Sequence, residues 1–238
     1  MRQILLSGVL GIMGVLGVVA FVTYEPPKNP DPNHTHTDFA VWVNGQQLDF
    51  SDARYMSSVP VTAYIPFVER VSAHNGVDDE HEETTIPGRE YLHLHDGNGH
   101  VIHRHKPGLT IGDFFASIGL PMADQCLTLD EFQYGKLDAG WKDSYALTPK
   151  LCTNGKFHWR MYVIHPDGSS SESGLDAYYV PQDEDQILLT YDAGDVHDAE
   201  LEMMTNDACL YSKTCPWRGE PPAENCLADP AIPCVIPE

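Results

Sequence analysis

The chain has 238 residues, with 35 Asp and Glu against 14 Lys and Arg, for a formal net charge of −21. Its 42% of hydrophobic residues are enough for a packed core, so it is not disordered as a whole. The charge excludes a general nucleic-acid binder, which needs a basic face to neutralise phosphates, and disfavours adsorption to anionic lipid headgroups.

Ile4 to Tyr24 is an uncharged, largely apolar run that follows a single Arg2. About 20 such residues suffice to span a hydrocarbon core, and no good small-x-small cleavage pattern ends the run. Residues 1–24 are therefore expected to form an uncleaved anchor rather than a cleaved signal peptide. Arg2 places the short leading tail inside. The expectation is a single-pass protein of the cell membrane, with its domain outside the cytoplasm and the membrane, through this helix, as one partner. Six cysteines (Cys126, Cys152, Cys209, Cys215, Cys226 and Cys234) fit structural disulfides in an oxidising compartment. No Cys-x-x-Cys pair exists, which excludes a thioredoxin-type redox motif.

Residues 25–33 are rich in proline and read as an extended linker. Phe39 to Phe50 reads as a hairpin turning at Asn44-Gly45. In that register Val41 opposes Leu48 and Phe39 opposes Phe50, and these face the core with Val43. If the strand extends back to residue 34, His34, His36 and Asp38 lie on the opposite face. Val61 to Val68 looks like a further strand with an edge or bulge at Pro66, and Ser72 to Glu90 like an exposed acidic loop. Tyr91 to His105 is a second hairpin. A helix follows, with Thr110 as N-cap, Asp113 three residues on, and Phe114, Phe115, Ile118 and Leu120 on its apolar side. Strands are expected at Cys126–Phe132, Phe157–Ile164 and Gln186–Tyr191, and a short helix at Val196–Met204. From Asn206 the chain is a Cys- and Pro-rich tail, too short for a core without disulfides. The resulting organisation is an α+β domain over 34–195 and a short helix with a disulfide-rich tail over 196–238.

The stretch Leu109-Thr110-Ile111-Gly112-Asp113-Phe114-Phe115 resembles the helix start of β-grasp (ubiquitin-like) domains, and Asp183-Glu184-Asp185-Gln186-Ile187-Leu188-Leu189 resembles their last strand. The resemblance covers roughly residues 91–192 and implies a mixed sheet built as hairpin, helix, then strands. The His-x-His-x-Asp-Phe start and the His-Leu-His-Asp-Gly-Asn-Gly segment also resemble those of a poorly characterised group of exported, membrane-anchored prokaryotic proteins.

Histidine placement is the feature that bears on function. His34-Thr35-His36, His93-Leu94-His95 and His103-Arg104-His105 are three His-x-His dyads, holding half of the chain's 12 histidines. In a strand, residues i and i+2 point to one face, about 6.6 Å apart at Cα, so two imidazoles can converge on one ion. A three-residue loop at Gly97-Asn98-Gly99, with Gly99 in the left-handed region, pairs His93 with His103. It sets His93, His95, His103 and His105 on one face and Leu92, Leu94 and Ile102 on the other. A two-residue loop would split the dyads. Both hairpins then carry histidines on their non-core face, which leads to the inference that their strands lie close and form one site.

The expected metal ligands are His34, His36, Asp38, His93, His95, His103 and His105. Imidazoles with a carboxylate suit a divalent transition metal, Zn²⁺ or Cu²⁺ foremost. Asp96 is a candidate to orient a ligand or to start the turn. The other histidines, among them His100, His158, His165 and His197, are assigned to no site. A Cys126–Cys152 bridge would close a polar excursion, contributing about 3–4 kcal/mol through chain entropy. The pattern points to a protein that captures, buffers or structurally uses a metal. A metal-dependent hydrolase or oxygenase, or a surface protein assembled through interfacial metal as a homo-oligomer or with a membrane-protein partner, are the alternatives.

Overall fold

The structure, a computed structural model, describes residues 28–29, 33–60, 83–194 and 197–220. Among these, no helix is long and apolar enough to cross a membrane. The anchor expected over residues 4–24 lies outside the described residues. The membrane as a partner, and the single-pass localisation built on that anchor, accordingly do not stand. The strand expected at Val61–Val68 and most of the acidic loop also fall outside the described residues, as do Cys226 and Cys234.

The sequence hairpin around Asn44-Gly45 forms β1 (Thr35–Val43) and β2 (Gln46–Gln47). Asn44 and Gly45 have φ of 49° and 75°, the pair of left-handed residues that a type I′ turn needs. Leu48 donates to the Val41 carbonyl at 2.9 Å, in the register expected from the apolar alternation.

The second hairpin consists of β5 (Leu92–His93) and β6 (Val101–Arg104), once β3 (Ser58–Pro60) and β4 (Glu83–Thr85) have formed a separate small ladder. Its register pairs His93 with His103, but the turn differs from the expected one. The left-handed residues are Asp96 and Gly97, with φ of 56° and 71°, and Asn98 N–H closes a tight turn on the His95 carbonyl at 2.9 Å. Asn98, Gly99 and His100 then form a bulge, and the His100 carbonyl accepts from Phe39 N–H at 2.8 Å. The Asn98 side-chain oxygen accepts from the backbone N–H of His100 and Val101 at 3.0 and 3.1 Å. That bulge restores the register a two-residue loop alone would lose. Gly99 is required for room rather than for φ: a Cβ there would lie 2.4 Å from the Phe50 carbonyl carbon and the Ser51 nitrogen.

The chain continues through α1 (Ile111–Ser117), β7 (Met122–Ala123), β8 (Cys126–Thr128), α2 (Glu131–Lys136), α3 (Ala139–Tyr145) and β9 (Lys150–Cys152). It then forms β10 (His158–Ile164), β11 (Ser170–Ser173), β12 (Gln186–Asp192), α4 (Asp198–Glu202) and α5 (Ala208–Tyr211). Thr110 and Asp113 form the expected capping box on α1. The strand expected over Cys126–Phe132 stops at Thr128, because the Asp130 carboxylate accepts from Gln133 N–H and starts α2. Asp138 caps α3 in the same way through Trp141 N–H.

The main sheet runs β11-β10-β12-β1-β6-β5, with β2 on β1. β1 and β12 are parallel and the other pairs antiparallel. The sheet is thus mixed, within an α+β fold. On one face Phe39, Val41, Phe50, Ile187, Leu189 and Trp159 pack with Phe114 and Phe115 of α1 to form the main core. On the other face Ala40, Trp42 and Leu188 pack with Leu201 and Met204, and Val101 packs with Ala208 and Tyr211. The C-terminal segment lies along this second face. Disulfides join Cys126 to Cys152 and Cys209 to Cys215. The first closes the expected excursion and the second staples the tail.

Gly99→Ala is expected to lower stability by about 1–3 kcal/mol, since backbone must move to admit the methyl group. Gly97→Ala, in open space at positive φ, is expected to cost only about 1 kcal/mol. Urea midpoints of the two variants measure the difference, and a Gly99→Ala protein as stable as wild type would refute the close approach.

Candidate metal centre

Two registers bring the histidines together. His36 of β1 pairs with His103 of β6, and His103 pairs with His93 of β5. One row of imidazoles therefore crosses three neighbouring strands. One step along each strand on the same face, His34 stacks on His105 with ring centroids 4.0 Å apart. His95 lies against His103 at 3.9 Å. The remaining neighbours are close as well: His34–His36 at 4.5 Å, His36–His103 at 4.8 Å and His93–His105 at 4.9 Å. All six dyad histidines thus form a single patch, with His36, His93, His103 and His105 buried.

Within it, ligand nitrogens of His34, His36 and His103 all lie within 4.8 Å of one another, close enough to hold a metal ion. The His34 and His36 Nε2 atoms are 3.2 Å apart. That is near the ligand–ligand edge of a tetrahedral ion with bonds of about 2.0–2.1 Å.

Their partners fix the tautomers of three rings. His93 Nδ1 is 2.7 Å from the Arg89 carbonyl, which only accepts, so Nδ1 carries the proton and Nε2 the lone pair. His95 Nδ1 donates to the Asp96 carboxylate at 2.6 Å, again leaving Nε2 as the basic nitrogen. The Ser212 hydroxyl gives its one proton to Asp183 at 2.7 Å. It must therefore accept from His36 Nδ1, 2.8 Å away. Such N–H contacts orient ligand imidazoles and raise their basicity. The supports are themselves anchored. Arg89 is buried and donates to the carbonyls of Arg54, Met56 and Ser117 at 2.7–2.9 Å.

Asp38 is the exception among the expected ligands. It lies on the histidine face, but its buried carboxylate accepts from Thr205 Oγ1 at 2.6 Å and from the backbone N–H groups of Asp207 and Ala208 at 2.9 and 2.8 Å. Burial pushes this carboxyl above its usual range despite those three hydrogen bonds. Asp38 therefore fastens the tail rather than meeting the imidazoles. The tail in turn covers the patch: the Tyr211 ring packs edge-on against His103 at 4.8 Å and lies 5.6 Å from His36.

Ser212, Asp183, Tyr211 and Arg89 were not singled out in the sequence. The available signals were weak: a small polar residue between two cysteines, and an acidic turn before the last strand. His100 and His165 take carboxylate partners away from the patch, Asp207 at 2.9 Å and Asp185 at 2.7 Å. Burial raises the Asp207 carboxyl, but hydrogen bonds from His100 and Arg218 outweigh it and hold the group below its ordinary value.

No protein-family model, curated protein or solved structure matches the chain. The function must be argued from the site itself.

Asp38→Asn is expected to destabilise the protein by about 1–3 kcal/mol, because an amide NH₂ cannot accept from the buried donors that the carboxylate satisfies. It should also expose the segment around Thr205–Ser212 to protease. Thermal melts and limited proteolysis report both effects, and unchanged melting with an intact tail would remove Asp38 from this role.

Proposed function

We propose that the protein binds a divalent transition metal through the six-histidine patch and holds it, as a capture, buffering or structural site. The observation that carries this reading is the His36–His103–His93 row, flanked by His34, His105 and His95. An all-imidazole donor set favours borderline ions, Zn²⁺ or Cu²⁺ among them. Six rings exceed one tetrahedral shell of about four ligands, which allows either two ions or an ion with supporting rings. The burial of the row under Tyr211 and Ser212 supports holding an ion more than turning over a substrate. The surplus of carboxylates, with net charge −21, favours arrival of cations over anions.

The strand order β6-β1-β12-β10, with the two central strands β1 and β12 parallel and a helix after β6, supports a β-grasp-like core. In that core β1, rather than the 91–105 hairpin, takes the central place.

Purified protein is expected to carry Zn²⁺ or Cu²⁺ in elemental analysis, and a His36→Ala/His103→Ala variant to lose most of it. Affinity should fall as pH drops, because protons compete for the imidazole lone pairs. Negligible metal in both proteins after incubation with Zn²⁺ and Cu²⁺ would refute the reading. Ser212→Ala should weaken binding by about 10–100-fold, as loss of an orienting partner does, while circular dichroism stays native. Unchanged affinity would show that the His36 tautomer is not set by this contact.

A further inference from the structure

At the opposite end of the second face, β12 ends in Asp192, and His197 and Glu200 fold back over it. A ligand nitrogen of His197 and carboxylate oxygens of Asp192 and Glu200 lie within 4.8 Å of one another. His197 Nδ1 is 3.3 Å from Asp192 Oδ2 and 3.9 Å from Glu200 Oε2. His197 is 3% exposed, and its ring packs against Tyr162 at 5.6 Å. Neither ring nitrogen makes a hydrogen bond among the described residues.

A buried, protonated imidazole beside two carboxylates would donate a well-aligned hydrogen bond to at least one of them. Here Nδ1 instead lies 3.3 and 3.9 Å from the two carboxylates without a hydrogen bond to either. The 3.3 Å approach matches the ligand–ligand edge of an ion with bonds of about 2.0–2.2 Å to nitrogen and oxygen.

We propose that Asp192, His197 and Glu200 form a second divalent-cation site, distinct from the histidine patch. One imidazole and two carboxylates form a harder donor set than six imidazoles, suited to Mn²⁺ as well as Zn²⁺. The two sites hold separate ions: from Gln186, beside Asp38, to Asp192, the strand rises roughly 20 Å. The same C-terminal segment serves both. It leaves the carboxylate site through α4, is fastened at Asp38, and reaches His36 through Ser212.

The test measures binding of Mn²⁺ and Zn²⁺ separately, by equilibrium dialysis, to the full chain and to the His36→Ala/His103→Ala variant, which lacks two of the three patch histidines whose nitrogens lie within 4.8 Å of one another. Each is examined with and without Glu200→Gln or Asp192→Asn, and circular dichroism without metal confirms folding. Glu200 and Asp192 are partly exposed, so these isosteric changes spare the core. The expected result is a single Mn²⁺ retained by the His36→Ala/His103→Ala variant and weakened more than about tenfold by Glu200→Gln. Binding of neither metal to that variant, or binding indifferent to both Glu200→Gln and Asp192→Asn, overturns the proposal. Metal bound by wild type and lost with Glu200→Gln, but untouched by the paired histidine changes, would establish this site while refuting the histidine patch.

Discussion

The site depends on strand register. Three adjacent strands must align so that His36, His103 and His93 fall in one row, because a one-residue slip in any of them turns its histidines to the core face and its apolar residues to the other. The core enforces this alignment. Phe39 and Val41 on β1, Ile102 on β6 and Leu92 on β5 are all buried on the first face, so a slip would expose large apolar side chains as it scattered the imidazoles. Burial on one face thus holds the chemistry on the other. The bulge at Asn98, Gly99 and His100 belongs to the same constraint, since it supplies the residues that a type I′ turn alone would leave out of register.

The C-terminal segment forms the second layer of control. Its described part stays in place through the Asp38 carboxylate, the Cys209–Cys215 bridge and two small apolar patches on the sheet. Its placement sets the His36 tautomer through Ser212 and covers His103 with Tyr211. A carboxylate on the histidine face is used instead to assemble the cover over the imidazoles. Asp183 performs a similar service, accepting from Ser212 and from the His36 backbone N–H.

Local patterns in the sequence carried the two hairpins, the helix after them and the face on which each dyad lies. Turn residues and the two-residue alternation are short-range signals, and they placed His93 against His103 correctly even though the turn was of a different type. Helices α2 and α3 were missed although Asp130 and Asp138 are ordinary N-caps: the apolar run beginning at Cys126 read as one strand through Phe132, and the residues after it as a polar excursion. Nothing local reveals that β1 lies between β6 and β12, or that the tail returns to Asp38. Those pairings join residues far apart in the chain and depend on the whole sheet. The Asp192–His197–Glu200 group shows the same division: His197 and Glu200 have a visible helical spacing, but Asp192 joins them only when the chain folds back from the end of β12.

This long-range character has an energetic consequence for the proposed ions. In an unfolded chain His34, His103 and the tail carrying Ser212 are far apart, and assembling them costs conformational entropy. An ion that binds only the folded arrangement adds its binding free energy to folding. It would also offset the crowding of imidazoles, and relieve the self-repulsion of a strongly acidic chain. The patch lies where β1, β6 and β5 meet the tail, so such an ion would tie together the segments that only the completed fold brings into contact. Metal occupancy and closure of the tail over the sheet would then be two aspects of one equilibrium.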